Sequence, residues 1–137
     1  MTKFALLALT ALFLINIYTG VLEGWGNNYW LSAAFHFLGG FFVAELIYSY
    51  YHNHFRSLPQ YLQILVVVAM TMGVGVLWEF VEFSAYKTLT ERIYHAYQYR
   101  VYFMGDLTDT IFDLLMDTLG SIAFLSLSLF FQKGSRR

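Results

Sequence analysis

The chain contains no cysteine and a single proline, Pro59. Without cysteine there is no disulfide, no thiolate zinc site and no thiol nucleophile, and the redox compartment is left undetermined. Charge is also scarce: Asp, Glu, Lys and Arg make up 12% of the residues, about half the ~25% of an ordinary soluble domain. The net charge of −1 offers nothing to a polyanion, so nucleic acid is not expected as a partner. No internal repeat and no low-complexity segment interrupts the sequence.

Apolar residues are what it has instead. They form 58% of the 137 residues, and aromatics alone form 20%. A soluble globule of this size has too little interior to hide them, which points to a multi-pass membrane protein of one domain, residues 1–137. Runs of about twenty apolar residues are long enough to cross a bilayer as helices. Such runs fall at about 4–22, 29–51, 61–86 and 107–131. The breaks between them are "EGWGNN", "HNHFRSLPQ" and a longer loop at 87–105. The expected fold is an all-α membrane protein, a four-transmembrane-helix up-and-down bundle. Tyr29, Trp30 and Tyr61 stand at span starts, where amphipathic rings meet the interface. The first run follows Lys3 like a signal peptide, but no small-x-small cleavage site follows, so a retained span is expected. With both termini cytoplasmic, Lys3, Arg56, Lys133, Arg136 and Arg137 lie inside and Lys87, Arg92 and Arg100 outside, as the positive-inside rule favours.

Within the 87–105 loop, Thr88-x-x-Glu91 matches a capping box, and "RIYHAYQYRVYF" suits a short interfacial helix before the last span. It serves either as an aromatic anchor or as a lid whose Arg92 and Arg100 meet anionic headgroups.

Ionisable groups inside the spans are the informative feature. At 1.5 Å per residue, Asn16, His36, Glu79, Glu82, Asp113 and Asp117 all lie roughly 6–12 Å below one surface of an up-and-down bundle. Glu79 and Glu82 share a helix face at i,i+3; Asp109, Asp113 and Asp117 form an i,i+4 ladder continued by Gly120. Glu45 projects half a turn away from His36 and is left out. Each charged side chain at a helix centre costs about 2.5–3.5 kcal/mol, so Glu79, Glu82, Asp113 and Asp117 together cost on the order of 10 kcal/mol. A divalent metal ion, shared protons, water or the loop cations would offset this. Oxygen ligands with one imidazole suit Mg²⁺, Mn²⁺, Fe²⁺ or Zn²⁺, which makes His36, Glu79, Asp113, Asp117 and Asp109 the candidate metal ligands. Blander roles exist for several: Asp106 as a helix cap with Asp109 in the first turn, His36 as a packing residue, and Glu82 snorkelling to water. No stretch matches a published metal motif such as HExxH.

"HFLGG", "LWEFVEF" and "DLLMDTLG" resemble small bacterial inner-membrane proteins of the YjdF-like class and, more distantly, the VanZ-like family. The VanZ-like pattern places a His in an early span, a Glu later and Asp-x-x-x-Asn-x-x-Gly in the last. His36, Glu79, Asp113 and Gly120 match it, and Asp117 replaces the Asn. The resemblance implies a bacterial inner-membrane protein with an acidic pocket and names no reaction.

Three functions remain open. The first is a metal-dependent hydrolase or transferase acting on a lipid-linked or amphipathic substrate. In it Glu82 is the general base and Arg92, Arg100 and Asn16 bind substrate. The second is a proton or metal-cation carrier. The third is a non-catalytic subunit of a larger membrane complex. Besides the lipid bilayer, the partners considered are a lipid-linked substrate and a homo-oligomer or larger complex.

Overall fold

A computed structural model describes residues 2–19, 28–55 and 57–134, with side chains as far as Phe131. The end of the first apolar run, the break at 20–27 and the basic residues Arg56, Arg136 and Arg137 lie outside the described residues, as does the Lys133 side chain. The described chain forms α1 (Thr2–Ile17), α2 (Tyr29–Tyr50), the single turn α3 (His52–Phe55), α4 (Gln60–Tyr97) and α5 (Leu107–Gly134), and no strand.

Helix starts follow local chemistry. Asn28 caps α2, its side-chain oxygen accepting the Leu31 N–H at 3.2 Å. Pro59 immediately precedes α4, where a missing N–H and a fixed φ do no harm. Asp106 caps α5: its Oδ1 accepts the Thr108 and Asp109 N–H groups at 2.8 and 3.0 Å.

Three helices, Tyr29–Tyr50, Gln60–Tyr97 and Leu107–Phe131, are long and apolar enough to cross a membrane. At 16 residues α1 is shorter. The expected third span and interfacial helix are in fact one continuous helix. Between Gly75 and Tyr97 there is no glycine or proline to end α4, so it runs for 38 residues, about 57 Å. The Thr88-x-x-Glu91 signature starts no helix. Thr88 Oγ1 instead donates to the Ser84 carbonyl at 2.7 Å, the back-bond of a residue already inside a helix. The end comes at Gln98, in the left-handed region with φ 54°, whose N–H donates to the Tyr94 carbonyl.

Each long helix buries one stripe. On α2 it is Ala33, His36, Gly40, Ala44, Glu45 and Tyr48, so that Glu45, expected to project away from His36, is buried as well, and on α4 Val67, Thr71, Gly75 and Glu79. On α5 it is Asp113, Asp117, Gly120, Ser121, Phe124 and Leu125. The closest pair is α2 with α5. There a Cβ on Gly40 would collide with the Asp117 backbone and one on Gly120 with the Phe37 carbonyl. Glycine at both contacts lets the two backbones touch, the small-residue packing typical of helices in lipid. One end of the bundle is closed by an apolar core of Ala44, Tyr48, Phe55, Val67, Phe124 and Leu125. The outside is apolar too: Leu7, Trp30, Leu65, Leu77, Phe80, Leu107 and Phe130 are all exposed. Polar stripes inside and hydrocarbon outside are the reverse of a soluble fold and suit a lipid solvent.

Candidate functional site

In the other half of the bundle the three stripes turn acidic where they face one another. His36, Glu79, Asp113 and Asp117 are each at least nine-tenths buried, and they converge on the imidazole. His36 Nδ1 lies 3.3 Å from Asp117 Oδ2, while Nε2 lies 3.5 Å from Asp113 Oδ2 and 3.9 Å from Glu79 Oε1. Ser32, one turn before His36 on α2, donates its hydroxyl to Asp113 Oδ2 at 3.1 Å. Two buried carboxylate oxygens here, Glu79 Oε1 and Asp113 Oδ1, have no hydrogen-bond partner. A buried acceptor left unpaired costs about 1–3 kcal/mol, more if charged.

One ligand atom each from His36, Glu79 and Asp113 lies within 4.8 Å of the others. Two ligands at about 2.1–2.4 Å from a single ion lie at most about 4.8 Å apart. Small side-chain adjustments therefore bring all three onto one cation. Asp117 has a different position, on the far nitrogen of the ring. It needs Gly75 for this, because a Cβ there would strike the Asp117 carboxylate.

Two cavities flank the cluster. The first, about 210 Å³, is lined partly by Asn16, Ser32, Glu82, Asp109 and Gly105. Trp78 Nε1 donates to Glu82 Oε1 at 2.7 Å across its wall. The second, about 310 Å³, is an apolar slot between α1, α2 and α4 with His36 and Asp117 in its lining. Asn16, Phe13, Phe35 and Trp78 border both.

Of the residues singled out by sequence, His36, Glu79, Asp113 and Asp117 meet at the cluster, and Glu82, Asn16 and Asp109 border the first cavity. Asp109 stands outside the ligand trio, packed beside Gly105. Arg92 and Arg100 line neither cavity: Arg92 is exposed near the end of α4, and the Arg100 guanidinium lies 5.3 Å from the Tyr94 ring centre. Lys87 sits over the Phe83 and Tyr86 rings. Among the described residues no Lys or Arg lines either cavity. Ser32, Gly75 and Trp78 were not anticipated, although each stands within one helical turn of a recognised acid or base: Ser32 before His36, and Gly75 and Trp78 before Glu79.

A family model described as "Predicted membrane protein (DUF2238)" matches residues 1–134. The chain belongs to this family. The match is consistent with the YjdF-like resemblance and does not extend to the VanZ-like one. No curated protein and no solved structure matches the chain. This DUF2238 member is thus a multi-pass membrane protein with apolar helices around a buried histidine–carboxylate cluster.

Proposed function

We propose that the protein binds one divalent metal ion through His36 Nε2, Glu79 and Asp113, and uses it as a membrane-embedded hydrolase or transferase. A single observation carries this reading. One imidazole nitrogen is taken by Asp117 while the other faces two carboxylates that have unpaired oxygens. Metal-binding histidines characteristically donate their second N–H to a carboxylate, which fixes ring orientation and tautomer. Asp117 is in that role here, the orienting partner rather than a ligand.

An ion at this position supplies Lewis acidity toward a phosphoryl or acyl oxygen. The chain's own residues do the rest. Glu82, one oxygen held by the Trp78 N–H, accepts the proton of the attacking water or hydroxyl through its other oxygen. Asn16 donates to the substrate's polar group from the wall of the first cavity. Arg92 and Arg100, beyond the cavity mouth, attract anionic headgroups from a distance. The first apolar run, whose end lies outside the described residues, is a fourth span in this reading, both termini are cytoplasmic, and the membrane is a bacterial inner membrane.

The alternative of a proton or cation carrier requires a polar route to the opposite surface. Below the cluster the helix stripes continue as Ala44, Tyr48, Val67 and Phe124, an apolar core in which Glu45 is the one buried charged group among the described residues, and this disfavours such a route. Metal content of the detergent-purified protein, measured by mass spectrometry beside Asp113→Asn, tests the proposal. One equivalent in the parent and none in the variant is the expected result. A metal-free parent would sink it and bring forward protonated acids or a subunit role in a larger complex.

A further inference from the structure

The apolar slot is comparable in size to the polar cavity, and a metal centre alone gives it no purpose. It lies deep: its α2 wall, Phe35 to Val43, spans about 9–21 Å from the start of that helix, well inside the hydrocarbon layer. Leu9 and Leu12 of α1 face it from one side, and Val74 of α4 from the other. Because α1 packs on α2 and approaches α4 only sparsely, little seals the slot between α1 and α4. The Phe13–Trp78 edge contact, with ring centres 6.0 Å apart, bridges that opening at the boundary between the two cavities. Room exists beside Gly39 as well, where the nearest atom to an added Cβ would be Asp117 Oδ1 at 4.0 Å.

We infer that this slot is the binding site for one hydrocarbon chain of a membrane lipid, entering laterally between α1 and α4 so that the lipid's polar head reaches the His36 cluster and the first cavity. The occupant's class follows from the surroundings. A slot that opens within the bilayer meets hydrocarbon and little else, and its continuity with a polar chamber selects a molecule with a head and a tail. The role of the head rests on the metal reading above; the chain site stands on the slot alone. The hydrocarbon has two sources, a glycerophospholipid acyl chain or a polyprenyl chain, and both present the same chemistry to these walls.

The test is photolabelling in phosphatidylcholine nanodiscs. One arm carries a phosphatidylglycerol with a mid-chain diazirine, the other a diazirine-bearing polyprenyl phosphate, and labelled residues are mapped by mass spectrometry. Label concentrated on Leu9, Leu12 and Val43 is expected in at least one arm, and the stronger arm identifies the source. Filling the slot with Val43→Trp or Gly39→Leu should reduce that label at least fivefold. Gly73→Leu, at a glycine with open space around it, should leave it unchanged. Val74→Trp, at a half-exposed position on the slot's rim, replaces either filled variant that fails to fold. Repeating the experiment after chelation separates the two proposals. Slot label that survives chelation keeps the chain site independent of the metal, and a protein that holds no metal before chelation removes the metal reading alone. Label spread over the outer helix faces in both arms, unaffected by filling, overturns the chain site whatever the metal content.

Discussion

The two halves of the bundle are built on the same three helices and filled in opposite ways. In one half the stripes of α2, α4 and α5 carry Ala44, Tyr48, Val67, Phe124 and Leu125, which pack into one apolar core with Glu45 as its one buried charged group among the described residues. About two turns away the same stripes carry His36, Glu79, Asp113 and Asp117, with cavities on either side. Nothing in the backbone changes between them. In lipid the hydrophobic effect gives helices no reason to associate, so packing and polar contacts must hold them. The aromatic half supplies the packing. The acidic half, with three carboxylates around one base, draws on that stability, and this division of labour is how a costly site persists in a small protein.

Several measurements would break or sharpen this contrast. The largest effect is expected from Gly120→Leu, which sits between the halves. Its side chain would collide with the Phe37 carbonyl, separating α2 from α5 in both directions, and size-exclusion chromatography should find no monodisperse protein. Phe124→Ala strikes the aromatic half alone. It should cost about 3–5 kcal/mol in thermal or denaturant unfolding and leave the metal content of the surviving folded fraction unchanged.

Asp113→Asn strikes the other half. Metal binding should fall below detection in a titration, yet in chelator the variant should be as stable as the parent or more so, because it has one fewer buried acid to neutralise. If it is instead much less stable in chelator, the acids are structural and the contrast fails. Asp117→Asn should weaken metal binding only about 10–100-fold, as expected for an orienting partner rather than a ligand. Equal losses in the two variants would make Asp117 a ligand after all. Arg92→Ala, exposed and remote from both halves, should change stability by less than about 0.5 kcal/mol and metal affinity not at all.

Much of the acidic half was legible in the sequence because depth along a helix is arithmetic. A fixed rise per residue places His36, Glu79, Asp113 and Asp117 at one level, and the i,i+4 ladder gives Asp113 and Asp117 one face. Arithmetic along an axis says nothing of rotation about a side chain. Which nitrogen of His36 meets which acid, and that Asp117 stands apart from the other two, depends on Gly75 across the helix interface, and that contact leaves no local trace. The end of the helix that holds the third span was missed for another reason. Polar residues after Tyr86 signal the exit from lipid, but only glycine, proline or a competing cap signals the end of a helix, and residues 76–97 contain neither glycine nor proline. Arg92 and Arg100 were given a place over the pocket on the expectation of a separate short interfacial helix acting as a lid, and a helix that continues from the third span carries Arg92 away from it.

That long α4 has a mechanical consequence. From Ala85, on the wall of the polar cavity, to Tyr97 at its tip is a climb of about 18 Å. The chain turns over at Gln98 and must come back down by Gly105, which lines the same cavity. The intervening residues reach only about 25 Å at full stretch. The return segment thus has limited slack, and buried Val101 pins it midway. A displacement of the tip of α4 that uses up this slack pulls on Gly105 and on the Asp106 cap beside it. Anything that grips the tip thereby has a handle on the rim of the polar chamber.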